Sequence, residues 1–308
     1  MLIAARMTTP FASLLLHRKT LLQFFMVCSV IPLCFFAAQP MMASFDWSQI
    51  KLAWRAISLE QWAASLLAVS ISFAALGRYD VIVHRVLNTG VAPRAAHASG
   101  AASVALSQTL GFGLIVGTIA RWRGMNSLNL VSASTVTAMV SISFLGSWLF
   151  LFGLAGLVSP RSLPLPYYVY QACLFSAVCF VFYTTLKRYV TIAGYRTRFP
   201  SLRALAKLVM FTAIDTCAAA LAFLILMPSS FESTLIAFFP IYLACLGVAL
   251  IGNTPGGLGP FEVTLLWAMP FENVNSLLAS LIAFRIVYFA LPACLAMLYT
   301  QSPRAPDF

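Results

Sequence analysis

The sequence predicts an all-α fold: a polytopic helical membrane protein with about 7–8 membrane helices, one or two of them broken or re-entrant. Three observations predict it. Of the 308 residues, 61% are hydrophobic and only 9% are charged, where a soluble domain carries roughly a quarter. Mean hydropathy is +0.91. Apolar runs near the roughly 20 residues needed to cross a hydrocarbon core of about 30 Å recur along the chain. Two of these runs are interrupted by glycine clusters, SQTLGFGLIVGTIARWR (Ser107 to Arg123) and NTPGGLGPFE (Asn253 to Glu262). Short loops leave no room for a sizeable soluble domain, so residues 1–308 read as one integral membrane domain and any chemistry belongs to its membrane part.

In chain order, Met1 to Thr20 carries Arg6, Arg18 and Lys19 and no acid, and Leu21 to Ala38 is apolar throughout. A retained first helix is the expectation, with a cleaved signal peptide as its rival. Asp46 to Ser58, DWSQIKLAWRAIS, mixes charges with two tryptophans and fits an interfacial helix. The core, residues 59–300, starts with a span from about Glu60 to Leu76 that ends in the polar cluster GRYDVIVHR. Arg94 to Ala120 contains the first break. Leu128 to Val158 is long and free of acids and bases, and Tyr167 to Leu186 follows the Pro-rich turn SPRSLPLP. Leu205 to Met227 is apolar except for Asp215. Phe231 to Ile251 leads into the second break, Phe261 to Met269 is a short helix, and Ser276 to Tyr299 closes with Arg285 inside.

The net charge of +11 is read as topology rather than nucleic-acid binding. Lys187, Arg188, Arg196, Arg198, Arg203 and Lys207 lie in one acid-free stretch, which belongs in the cytoplasm together with the N-terminus. That placement requires Arg94–Ala120 to turn back at its glycines rather than cross, and non-helical backbone at such depth must be satisfied by protein or a wet cavity. One break in each half is the pattern of inverted-repeat transporters, although no residue-level repeat is visible. The seven cysteines lie in apolar runs without metal-type pairs, and they read as small buried residues. His17 and His97 read as loop residues. No zinc pattern, P-loop, nucleophile elbow or dinucleotide fingerprint occurs, so no catalytic residue, cofactor or metal is expected.

The charged residues inside apolar surroundings are the candidate site. Asp215 sits in FTAIDTCAAALAF among apolar and small neighbours; its alternatives are an ion pair with Arg285 or Arg121, a ligand contact, or a proton relay. Arg285, in SLIAFRIVYFALP, lies too deep to snorkel, and its planar fork suits phosphate. Arg121 and Arg123 are two apart and point to different faces, so one can meet a cavity while the other meets headgroups. Asp80 is flanked by Arg78 and His84 in what reads either as a site or as an interfacial charge cluster. Pro260 can start a helix that Glu262 caps, or Glu262 can face a cationic ligand group. Gly111, Gly113, Gly117, Pro255, Gly256, Gly257 and Gly259 would form the two breaks, which are expected to face each other across one polar site.

Taken in order, YDVIVHR, SQTLGFGLIVGTIARWR, NTPGGLGPFE and FRIVYFALP resemble the membrane domain of the multiple peptide resistance factor family, the bacterial lysylphosphatidylglycerol synthase/flippases and their stand-alone relatives. The likeness runs from about Ser72 to Leu298. It implies a flippase-like domain of the inner membrane that moves aminoacylated phosphatidylglycerol between leaflets, blunting cationic antimicrobial peptides. The positions matching its motifs are Asp80, Arg121, Arg123, Glu262 and Arg285, and Asp215 joins them on physical grounds.

The soluble aminoacyl-transfer domain of the full-length members has no counterpart here, so the expectation is a non-enzymatic lipid translocator in which Arg121 and Arg285 engage phosphate and Glu262, Asp80 or Asp215 the ammonium groups. Its partners would be anionic or aminoacylated membrane lipids and no nucleic acid, with oligomerisation left open. The rivals are a membrane subunit docking a separately encoded synthase, and a headgroup enzyme built on Asp80 and His84.

Overall fold

The computed structural model describes residues 46–301, except 126, 160–162, 188, 193–194, 229–230, 232 and 270–273. The apolar run Leu21–Ala38, helix or leader, lies outside the described residues. Helix α1, Trp47–Ala56, starts where the Asp46 carboxylate accepts from the Ser48 N–H. Helix α2, Leu59–Leu87, opens on a reciprocal cap between Ser58 and Gln61 and stops at Asn88 in the left-handed conformation. It continues well beyond the expected Leu76, because the polar cluster Tyr79–His84 is buried inside the protein rather than marking an interface.

Two helical hairpins follow the same plan. In the first, α3 (Pro93–Leu110) and α4 (Gly113–Gly124) are separated by Gly111 and Phe112, both at positive φ. Gly117 lies against the Ser107 hydroxyl and Gly124 against that of Ser99, so α4 runs back along α3. His97, expected in a loop, lies on α3 with its ring against Gly77 of α2. In the second hairpin, α8 (Leu235–Gly252) turns through the Pro255–Gly257 3-10 turn into α9 (Pro260–Ala268). Gly257 meets Ala249, and the Tyr242 and Phe261 rings are 5.9 Å apart. At 1.5 Å per residue, the 12 residues of α4 span about 18 Å and the 9 of α9 about 13 Å, both short of a full crossing.

Between the hairpins lie α5 (Leu130–Val158), α6 (Tyr167–Leu186), a short antiparallel β-hairpin of β1 (Tyr189–Ile192) and β2 (Tyr195–Arg198), and α7 (Leu202–Ile225). The basic Lys187–Lys207 stretch is thus no plain loop: it holds this hairpin and the first turns of α7. The last helix is two segments, α10 (Val274–Arg285) and α11 (Leu291–Gln301), joined by a π-helical turn at Ile286–Ala290. Among the described residues, six helical segments are long and apolar enough to cross a membrane: α2, α5, α6, α7, α8 and the composite α10–α11. Exposed Phe175, Val178 and Phe182 give α6 an outward apolar face.

Helices α2 and α7 form the antiparallel centre. Gln61 donates to the Ile225 carbonyl at one end, Ser65 to the Ala222 carbonyl further in, and Ser72 to Asp215 at mid-height. The first hairpin springs from the end of α2 and the second from the end of α7, hence from opposite ends of this pair. Phe223, wholly buried, packs against Phe238, Phe261 and Phe284 and locks α7, α8, α9 and α10 together.

Candidate functional site

The two hairpin tips meet. Gly111 adopts φ +76°, and a Cβ there would stand 3.2 Å from the Pro255 nitrogen and 3.3 Å from the Asn253 carbonyl oxygen. Positive φ and this close approach both favour glycine. Beside the junction, Arg285 ends α10 and reaches back to the second tip. Its Nη1 donates to the Gly256 carbonyl at 2.7 Å and its Nη2 to Glu262 Oε1. The other Glu262 oxygen accepts from the Gly259 N–H at 2.7 Å, so this carboxylate caps α9 and binds the arginine at once. The guanidinium also lies 5.6 Å from the centre of the Phe289 ring.

The π turn is the anchor for both hairpins. Its Tyr288 and Phe289 carbonyls accept from Gln108 and Thr109 at the end of α3, each at 3.2 Å, while the preceding Arg285 holds the second hairpin. Single π turns inside α-helices concentrate at functional sites. The Arg285 and Glu262 side chains remain 20% and 18% exposed. A guanidinium has five N–H groups, and two are used here. This is an ion pair with donors to spare and an open side.

Asp80 and Arg121 make a different arrangement. Arg121 on α4 forks onto Asp80 of α2, with Nη2–Oδ1 at 2.7 Å and Nε–Oδ2 at 3.4 Å, and both side chains are 2% exposed. Arg121 Nη1 also donates to Thr137 of α5. His84 stands 3.5 Å from the same carboxylate and uses its Nδ1 on the Thr89 hydroxyl at 2.7 Å. Gly100 of α3 fits over Asp80 so closely that an added Cβ would fall 2.3 Å from the Asp80 Cβ. The pair staples the first hairpin to α2 and is closed on all sides. Beyond it, a hollow of about 460 Å³ at the α2–α3 corner is lined by His84, Arg85, Asn88 and Pro93.

Asp215 pairs with neither arginine. Its Oδ1 accepts from Ser72 Oγ at 2.5 Å, and the Tyr288 hydroxyl lies 3.5 Å away. Arg123 is exposed and apart from all of these. The sequence candidates therefore fall into three groups: Glu262 with Arg285 at the tips, Asp215 beside the π turn, and Asp80 with Arg121. Ser72 and Asp80 are eight residues apart on α2, so the last group lies about 12 Å along the helix axis from the second. Gly113, by contrast with Gly111, faces open space.

Sequence reading missed Ser72, Gly100, Gln108, Thr109, Thr137 and Tyr288. Gln108 and Thr109 open the first glycine-rich motif and Tyr288 lies in FRIVYFALP, but nothing there marks them above their neighbours; Ser72, Gly100 and Thr137 are small or polar residues whose spacing carries no signal. Among the described residues no group of three or more His, Cys, Asp or Glu side chains is placed to hold a metal ion.

No family model matches the chain. It is similar to an uncharacterized protein of Synechocystis, slr0712, 26% identical over 267 residues that cover 80% of this chain and 81% of that protein. It is also similar to the inner membrane protein YbhN of Escherichia coli, 26% identical over 308 residues, covering 92% of this chain and 91% of that protein. Six crossing-length apolar helices among the described residues, together with a likeness to an inner membrane protein along nearly its whole length, make this chain a polytopic membrane protein.

Proposed function

We propose that the chain moves phospholipid between the leaflets of a bacterial inner membrane, and that Glu262 and Arg285 hold the lipid headgroup. The observation that carries this reading is the half-open ion pair at the junction of two hairpin tips. A guanidinium with free donors suits a phosphate, and a carboxylate beside it suits an ammonium. Lysylphosphatidylglycerol offers one phosphate and two ammonium groups, so one such pair can match both signs while the acyl tails stay in the bilayer. The resemblance to the membrane domain of the multiple peptide resistance factor family supports that class of substrate. In this reading Asp80 and Arg121 brace the first hairpin, and the basic Lys187–Lys207 stretch and the N-terminus face the cytoplasm.

A headgroup enzyme has less support, because the Asp80 and His84 it would need are buried and engaged with Arg121 and Thr89. The test is outer-leaflet lipid labelling in cells carrying Arg285→Ala or Glu262→Ala. Each variant is expected to be made at normal level and to expose less lipid. Unchanged labelling in both would overturn the site.

A further inference from the structure

We propose that Asp215 is a binding site for one small monovalent cation, a proton or Na+, whose binding and release drive the lipid movement assigned above to Glu262 and Arg285; the inference rests on that reading.

Asp215 lies in the middle of α7 and is 3% exposed. Among the described residues, the groups bonded to it are hydroxyls and no cation reaches it. From α2 comes Ser72, at 2.5 Å, and from the π turn Tyr288, at 3.5 Å. Tyr242 of α8 and Cys217, two residues further along α7, add only neutral groups to this neighbourhood. The ion pairs among the described residues join Asp80 to His84 and Arg121, and Glu262 to Arg285, and none includes Asp215.

Hydroxyl dipoles solvate a carboxylate without cancelling its charge, and a buried charge without a partner is expensive. A cation arriving at Asp215 cancels it. The Asp215, Ser72 and Tyr288 oxygens lie 2.5–3.5 Å from one another, a set of oxygens on the scale of one small cation such as a proton or a bare Na+.

The position explains how such binding would be felt at the tips. Tyr288 belongs to the turn whose carbonyls hold Gln108 and Thr109 of the first hairpin, and Arg285, three residues earlier, holds the second. Occupancy of Asp215 changes what the Tyr288 hydroxyl is bonded to, and with it the one turn that fastens both hairpins.

The experiment uses the whole protein in phosphatidylglycerol–phosphatidylethanolamine vesicles carrying fluorescent phosphatidylglycerol. Lipid movement is followed by quenching from outside, with no gradient, with a pH gradient in Na+-free buffer, and with a Na+ gradient at equal pH. The wild type is expected to respond severalfold to one of the two gradients, which identifies the ion; a single proton site is bounded by about tenfold per pH unit. Asp215→Asn is expected to move lipid at one rate in all three conditions, and Asp215→Glu to keep the response.

A full response in Asp215→Asn, or a gradient-independent wild type that still moves lipid, would overturn the coupling site and leave the headgroup reading standing. No lipid movement in any condition would remove both. Should Asp215→Asn fail to fold, Tyr288→Phe takes its place: the pH or Na+ concentration giving half-maximal response is expected to shift, and an unchanged midpoint would also count against the site.

Discussion

Arg285 donates to the carbonyl of Gly256 across 2.7 Å, so a side chain at the end of α10 fixes the backbone of a turn 29 residues earlier. Only a planar, forked cation can make that bond, engage Glu262 and still present free N–H groups. Arg285→Lys is therefore expected to behave like a loss-of-function variant despite its retained charge. One charge-assisted hydrogen bond is worth about 1.5–3 kcal/mol, so lipid movement in vesicles should fall about tenfold or more. Wild-type rates in Arg285→Lys would show that charge alone suffices.

The Asp80–Arg121 pair should behave as a structural element. Removing either partner leaves a buried charge alone, which costs about 3–5 kcal/mol. Asp80→Ala and Arg121→Ala are expected to lower the midpoint of thermal unfolding in detergent, measured by fluorescence-detected size exclusion. An apolar replacement of both residues, such as Asp80→Leu with Arg121→Met, should recover most of that loss. A double variant as unstable as the singles would place some further demand on these charges.

Two glycines offer a paired test. Gly100→Ala drives a Cβ to within 2.3 Å of the Asp80 Cβ and should destabilise by about 1–3 kcal/mol. Gly113 faces open space in the first turn of α4, so Gly113→Ala is expected to be neutral or to stabilise by up to about 1 kcal/mol. Comparing their unfolding midpoints checks the packing of α3 on α2. Equal shifts would contradict it.

Gly111→Ala probes the junction itself. Its φ of +76° disfavours any side chain, and the new Cβ would press on the Pro255 nitrogen. Lipid movement should fall more than stability does, because the strain falls on the contact between tips rather than on the long helices. A variant with normal rates would separate the junction from transport.

Much of the helical framework was legible in the sequence, because apolar length is a local property. Tyr167–Leu186 was read with its observed bounds, and the two glycine-rich breaks fall where hairpins turn. The end of α2 was misread: Arg78 and Asp80 look like an interface, yet only Arg78 is exposed, while Asp80 points at Arg121. Partner choice was not legible either. Which arginine meets which carboxylate depends on how α2, α4, α7 and α10 are rotated and staggered, and a one-turn shift would exchange neighbours. Gly100 and Ser72 matter only through what crosses over them. The β-hairpin inside the basic stretch is hidden because four-residue strands, YVTI and YRTR, are too short for their alternation to stand out against the run of positive charge.

The two hairpins leave the α2–α7 pair from opposite ends and still meet at their tips, so the junction lies beside the middle of that pair, near the Ser72–Asp215 bond. Loosening either hairpin would then uncover the same place, one toward each end of the pair. Between two such openings a bias of only about 1.4 kcal/mol changes the ratio tenfold.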